Sequence, residues 1–138
     1  MIIKSACLTG VRKIEVRKRE LTLSDDQVLV KTHAAGICGS DKNLYNGIIP
    51  PSGGLNTEMN TSFSYPYFFG HEAGGTVVEV GKNVRNYKPG DKVMAFAWVE
   101  TYSDYFKARE EELEPVPHGL SMDLASLGEP IGCAVFSG

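Results

Sequence analysis

Two short stretches hold the residues able to do chemistry: Cys38-Gly39-Ser40-Asp41 and Gly70-His71-Glu72-Ala73-Gly74-Gly75. Each supplies one soft or borderline metal ligand, a thiol or an imidazole, with a carboxylate close behind it. A catalytic zinc site is built from that kit: a few protein donors, charges that tune them, and a position left open for substrate. Taken singly, a cysteine is more often a small buried hydrophobe, and a histidine more often a satisfied core or surface side chain. The pairing, each ligand with its own acidic neighbour, is what points to metal.

The elements that must position these residues alternate in a strand-like way. Residues 1–9, 13–21 and 27–34 read as strands, separated by turn residues at Gly10 and at Ser24-Asp25-Asp26. After Gly36 the pattern changes, and Gly39-Ser40-Asp41 followed by Leu44 and Tyr45 predicts a capped short helix that places Cys38 at an element boundary. Residues 47–67 are rich in Pro, Gly, Ser, Asn and Thr and run directly towards His71, the composition of a functional or mobile loop. Strands are expected at 76–80, 92–98, 102–108 and 113–116, with a turn at Pro89-Gly90-Asp91 and a helix capped by Ser121. Many short strands at close spacing favour a small barrel or sandwich over a doubly wound sheet.

Bulk properties narrow the class. The 138 residues suit one domain, and 42% hydrophobic with 22% charged is ordinary globular composition. A net charge of −3 gives no reason to expect nucleic acid. The one basic run, Arg12-Lys13 to Arg17-Lys18-Arg19, alternates with Ile14 and Val16 and suits the solvated face of a strand. Three cysteines, Cys7, Cys38 and Cys133, cannot all pair, and no secretory leader is visible, so a cytoplasmic location is expected. No apolar stretch approaches the roughly eighteen residues of a membrane helix, so no membrane partner is expected. Nothing matches Gly-x-Gly-x-x-Gly between a strand and a helix, or a Walker-type phosphate loop.

The run from Gly70-His71-Glu72-Ala73-Gly74-Gly75 through Thr76-Val77-Val78-Glu79-Val80-Gly81 resembles the zinc signature of the medium-chain alcohol and polyol dehydrogenases. Gly36-Ile37-Cys38-Gly39-Ser40-Asp41 resembles that family's first-ligand motif, and Tyr87-Lys88-Pro89-Gly90-Asp91-Lys92-Val93 its turn and strand. Glu129-Pro130-Ile131 is similar to the Glu-Pro-Leu element of the sorbitol and threonine dehydrogenase branch. The resemblance implies a mainly β fold, a GroES-like β-barrel with a few short helices over residues 1–138, without the Rossmann cofactor domain of a typical member.

It also implies that Cys38 and His71 bind one catalytic Zn²⁺ per chain, with a carboxylate and a water or substrate oxygen completing the tetrahedron. Glu72 would be a ligand or sit just behind the metal. Glu129 is the other carboxylate candidate, and Cys133, four residues later, is its rival; the proline after Glu129 favours Glu129. Ser40 matches the hydroxyl that bonds the alcohol and starts proton export, and Asp41 the carboxylate that orients the ligand histidine. Both are also good helix-capping residues. Asn43 departs from the family's frequent histidine, and an amide cannot end a proton relay by titrating.

The four clustered cysteines of a structural zinc lobe are missing between Met94 and Phe106, so the family's usual tetramer is not carried over. Apolar surface left where the barrel wall is incomplete would instead favour self-association. The 48–67 segment is longer than in relatives and suits a substrate lid or, equally, a mobile surface loop. The intact protein would oxidise a zinc-bound secondary alcohol or polyol to a ketone with NAD or NADP, and this chain alone is expected to bind metal without turning over. The rival readings are a stand-alone zinc-binding barrel and a zinc-free relative of the quinone reductases.

Overall fold

Period-two burial decides β1 (Ile2–Gly10), which buries Ile3, Ser5 and Cys7 on one face and leaves Ile2 and Lys4 exposed. The computed structural model describes residues 1–48, 65–96 and 99–136. Antiparallel to β1 runs β2 (Lys13–Glu20), an edge of a three-stranded sheet whose central strand is β1. As an edge strand it carries the basic run in solvent, and Ile14 and Val16 stay exposed with it. Arg19 is the exception: it donates to Ser5 Oγ at 2.9 Å and lies 4.4 Å from the ring centre of Phe68.

In β3 (Gln27–Ala35) three consecutive residues, Val28, Leu29 and Val30, are buried. A continuous apolar run of this kind marks a strand covered on both faces. Val28 and Val30 join Val77, Val93, Phe106 and Leu113 in the main core, while Leu29 packs with Ile3 and Leu21 on the other side. The helix α1 (Gly39–Tyr45) follows, then the two-residue strand β4 (Tyr67–Phe68), which pairs with Cys7 and Leu8 of β1.

The strand β5 (Ala73–Val80) starts three residues earlier than expected, because Gly74 and Gly75 stay in the ladder opposite Ala34 and Thr32 instead of forming a loop. At Gly75 a side chain would collide with Val30 and the Lys31 backbone, so glycine permits this close pairing. Three further strands, β6 (Lys92–Ala95), β7 (Tyr105–Arg109) and, after a 3₁₀ turn (Glu110–Glu112), β8 (Leu113–Pro115), complete a five-stranded antiparallel sheet ordered β7-β3-β5-β6-β8.

Two strands are shorter than their patterns suggest. The strand expected over 92–98 leaves the ladder after Ala95, and residues 97 and 98 lie outside the described residues. The strand expected over 102–108 begins only at Tyr105, because Tyr102 and Asp104 turn to the other sheet. The Ala6 amide donates to the Tyr102 carbonyl at 2.7 Å, and the Asp104 amide donates to the Lys4 carbonyl at 3.1 Å. The segment 99–104 thereby stitches the two sheets together.

The helix α2 (Met122–Ala125) is capped as expected, Ser121 Oγ accepting from the Leu124 amide at 3.3 Å. It leads into α3 (Gly128–Phe136), which the sequence pattern did not announce and which packs over Met94 and Phe96. The architecture is mainly β with short helices, as expected. No described helix is long and apolar enough to cross a membrane. The stretch read as a substrate lid or a mobile surface loop falls almost wholly outside the described residues.

Candidate metal centre

The register of two strands brings the ligand motifs together. Ala35, the last residue of β3, is paired with Ala73, the first of β5, so the chain leaving β3 and the chain entering β5 meet at one end of the sheet. The Gly36 amide extends the ladder past both strands by donating to the Glu72 carbonyl at 3.0 Å. Cys38 then sits at the N-cap of α1, and His71 and Glu72 lie in the connection just before β5.

One ligand atom each from Cys38, His71 and Glu72 lies within 4.8 Å of the others, the only such group among the described residues. Cys38 is half-buried, while His71 and Glu72 are 5% and 4% exposed. Room for the Glu72 carboxylate comes from Gly36, where any Cβ would collide with Oε2 of Glu72. Among the described residues Glu72 has no ion pair with lysine or arginine. A carboxylate desolvated without a cation is expensive, so a divalent ion between these three donors would supply the missing charge. Thiolate, imidazole and carboxylate together are a donor set of an open zinc site, and the residues present fit that metal.

Asp41 lies behind this group and is 2% exposed. Its Oδ1 faces His71 Nδ1 at 3.6 Å, and its Oδ2 accepts from the Cys38 amide at 3.1 Å, closing the first turn of α1. The capping role and the histidine-facing position are therefore held by different oxygens of one side chain. Leu44, one turn along the helix, buries itself against Leu8 and Phe69 and so seats α1 on the sheet. Ser40 caps nothing: its Oγ is buried and has no hydrogen-bond partner among the described residues. Asn43 is exposed.

Tyr102 is the residue that the sequence did not single out. Its hydroxyl lies 2.6 Å from Asp41 Oδ2 and 2.9 Å from the Gly36 carbonyl, and its ring meets Phe69 edge-on at 4.7 Å. Burial, then the hydrogen bond to Asp41 and the charges of Asp41, Glu72 and Cys38, push the Tyr102 phenol far above its ordinary value. It stays protonated and donates. The only sequence signal was an aromatic in a stretch that reads as strand, and nothing there names Asp41 as its partner.

The structure does not bring Glu129 into the group of three. Glu129 stands in the first turn of α3, where Cys133 Sγ donates to its Oε1 at 3.2 Å. The Glu129 hydrogen bond and charge raise the Cys133 thiol, and Cys38 and Glu72 add to the rise from further off. An apolar cleft of about 400 Å³ between α1 and β2 reaches Asp41 and Tyr102 but is bordered by none of the three donors.

Residues 24–135 match the alcohol dehydrogenase GroES-like domain. The chain is 32% identical over 136 residues to the L-threonine 3-dehydrogenase of Bacillus licheniformis, covering 79% of this chain and 37% of that protein. It is 31% identical to the D-arabitol-phosphate dehydrogenase of Enterococcus avium, covering 81% and 37% respectively. The crystal structure of 2R,3R-butanediol dehydrogenase from Bacillus subtilis superposes with a TM-score of 0.80 at 29% identity, over 98% of this chain and 46% of that one. The chain thus spans less than half the length of these relatives. Because the match begins just ahead of β3 and runs into the end of α3, it takes in both ligand motifs, and the chain belongs to the alcohol dehydrogenase GroES-like domain family.

Proposed function

We propose that this domain is the metal-holding, substrate-side part of a zinc-dependent dehydrogenase that oxidises a secondary alcohol or polyol to a ketone with NAD or NADP. The observation that carries the reading is the convergence of the Cys38 thiol, the His71 imidazole and a buried Glu72 carboxylate that pairs with no lysine or arginine among the described residues. When bound, Zn²⁺ supplies Lewis acidity, lowering the pKa of an alcohol at a position the protein leaves open.

The chain's own residues would do the rest. A His71 ring whose Nδ1 faces Asp41 keeps the lone pair of its other nitrogen for the metal, and the Asp41 charge makes that nitrogen a better donor. Ser40 Oγ, with no internal partner among the described residues, is available to take up the hydroxyl proton of the substrate and pass it outward. Asn43 cannot titrate, so the proton would leave through water or another group. Cys7 and Cys38 form no disulfide, which suits a reducing, cytoplasmic setting in which the Cys38 sulfur stays available to a metal. The names of the relatives, acting on threonine, arabitol phosphate and butanediol, support a secondary alcohol as substrate class. A zinc-free reading is disfavoured by the convergence of Glu72 with Cys38 and His71, since among the described residues no lysine or arginine pairs with this buried carboxyl group.

The test is NAD(P)-dependent oxidation of secondary alcohols and polyols by the protein carrying a cofactor-binding partner domain. Activity should be lost on treatment with a chelator and restored by Zn²⁺. Activity that survives complete metal removal would contradict the proposal.

A further inference from the structure

Two loops supply the donors, and one residue touches both. From the segment joining the two sheets, the Tyr102 hydroxyl reaches Asp41 Oδ2 at 2.6 Å and the Gly36 carbonyl at 2.9 Å, both on the loop that presents Cys38. The Tyr102 amide donates to the Phe69 carbonyl at 3.4 Å, and the neighbouring Thr101 amide donates to the Gly70 carbonyl at 3.3 Å, both on the loop that presents His71. The Thr101 hydroxyl donates to the Glu72 carbonyl at 3.4 Å.

A phenol has one proton to give. Of its two acceptors the carboxylate is nearer and carries charge, so the stronger bond goes to Asp41. Asp41 Oδ2 then holds two donors, the Tyr102 hydroxyl and the Cys38 amide, which fixes the carboxylate plane and leaves Oδ1 facing His71 Nδ1. The Tyr102 ring, held edge-on by Phe69, would keep its place without the hydroxyl. Packing and hydrogen bonding can therefore be separated.

We infer that Tyr102 is a positioning residue for the metal centre, acting through Asp41 to set the orientation of His71. The inference rests on the zinc reading proposed above. Loss of the phenol should leave the fold in place and weaken metal binding, since groups that orient a ligand histidine typically change metal affinity by about 10–100-fold.

The experiment is a Co²⁺ titration of the metal-free chain, followed by thiolate-to-cobalt charge transfer and by the ligand-field bands. It compares the wild type with Tyr102→Phe, Asp41→Asn and the double variant. The expected result is one Co²⁺ per wild-type chain, affinity about tenfold or more weaker in Tyr102→Phe with altered ligand-field bands, and no further effect of Tyr102→Phe once Asp41 is Asn. Equal affinity and identical bands in wild type and Tyr102→Phe would overturn the inference while leaving the metal reading intact. Equal losses that simply add in the double variant would overturn the route through Asp41. A wild type that binds no Co²⁺ would remove the metal reading itself, and this inference with it. Should Tyr102→Phe fail to fold, Asp41→Asn alone reads the same link from its other end, and unchanged affinity there overturns it.

Discussion

Asp41 Oδ2 accepts the Tyr102 hydroxyl at 2.6 Å while Asp41 Oδ1 faces His71 Nδ1 at 3.6 Å, so one buried carboxylate joins the 99–104 segment between the two sheets to a metal-type ligand. Asp41 also closes the first turn of α1 by accepting from the Cys38 amide. Replacing it with Ala removes the side-chain acceptor of that amide and the nearer of the Tyr102 hydroxyl's two acceptors, leaving it the Gly36 carbonyl. The metal-free Asp41→Ala protein should be about 1–3 kcal/mol less stable in urea unfolding. Unchanged stability would mean that neither bond matters to the fold.

Seating of α1 depends on Leu44, which is 6% exposed and packs with Leu8 and Phe69. Leu44→Ala should cost about 2–5 kcal/mol. Because Cys38 is the cap of this helix, hydrogen exchange at the amides of α1 should speed up more than exchange in β5. Equal acceleration in both would contradict a local anchoring role.

At Gly36 the geometry makes a sharp distinction between fold and site. A Cβ there would collide with Glu72 Oε2, so Gly36→Ala must push the carboxylate aside. The expected outcome is a modest overpacking cost of about 1–3 kcal/mol together with a clear loss of bound metal. A variant that keeps full metal content would show that Glu72 is not a donor.

Alkaline pH should weaken the fold in part through Tyr102. Burial and its bond to Asp41 raise this phenol in the folded state, so the folded protein holds the proton more tightly than the unfolded chain does. Stability from this group is complete below the unfolded pKa of about 10 and is lost as pH rises from there towards the folded value. Tyr67 and Tyr87 are also raised, chiefly by burial, so Tyr102→Phe should flatten the alkaline decline without abolishing it. Urea midpoints measured between pH 8 and 11 check this, and superimposable declines would contradict it.

Glu129 and Cys133 make the neighbourhood of α3 testable separately. Glu129 raises the exposed Cys133 thiol by hydrogen bond and charge. Glu129→Gln should lower that pKa and speed alkylation of Cys133 at neutral pH, with metal content unchanged. Loss of metal in this variant would put Glu129 among the donors.

The legible part of the molecule is the part governed by local pattern. Residues 13–20 and 27–35 announce their strands by alternation and by a doubly buried run, and Asp41 announces a helix start after Cys38. The convergence of Cys38 with His71 and Glu72 was legible for a different reason: the two motifs each lie next to a strand end, and the Ala35–Ala73 pairing does the rest. What escaped is set by tertiary partners. Gly74 and Gly75 look like a loop until α2 is seen close against Gly74 and Val30 against Gly75, and Tyr102 looks like strand until its carbonyl is taken by Ala6 and its hydroxyl by Asp41. Arg19, one basic residue among several, leaves the solvated face because Ser5 and Phe68 receive it.

The central claim is that Cys38, His71 and Glu72 hold one metal ion. Elemental analysis of the purified chain beside its Cys38→Ser and His71→Ala variants tests it most directly. The account expects about one zinc per wild-type chain and almost none in either variant, the two remaining donors being too few for a stable site. Zinc retained at the wild-type level in both variants would contradict it.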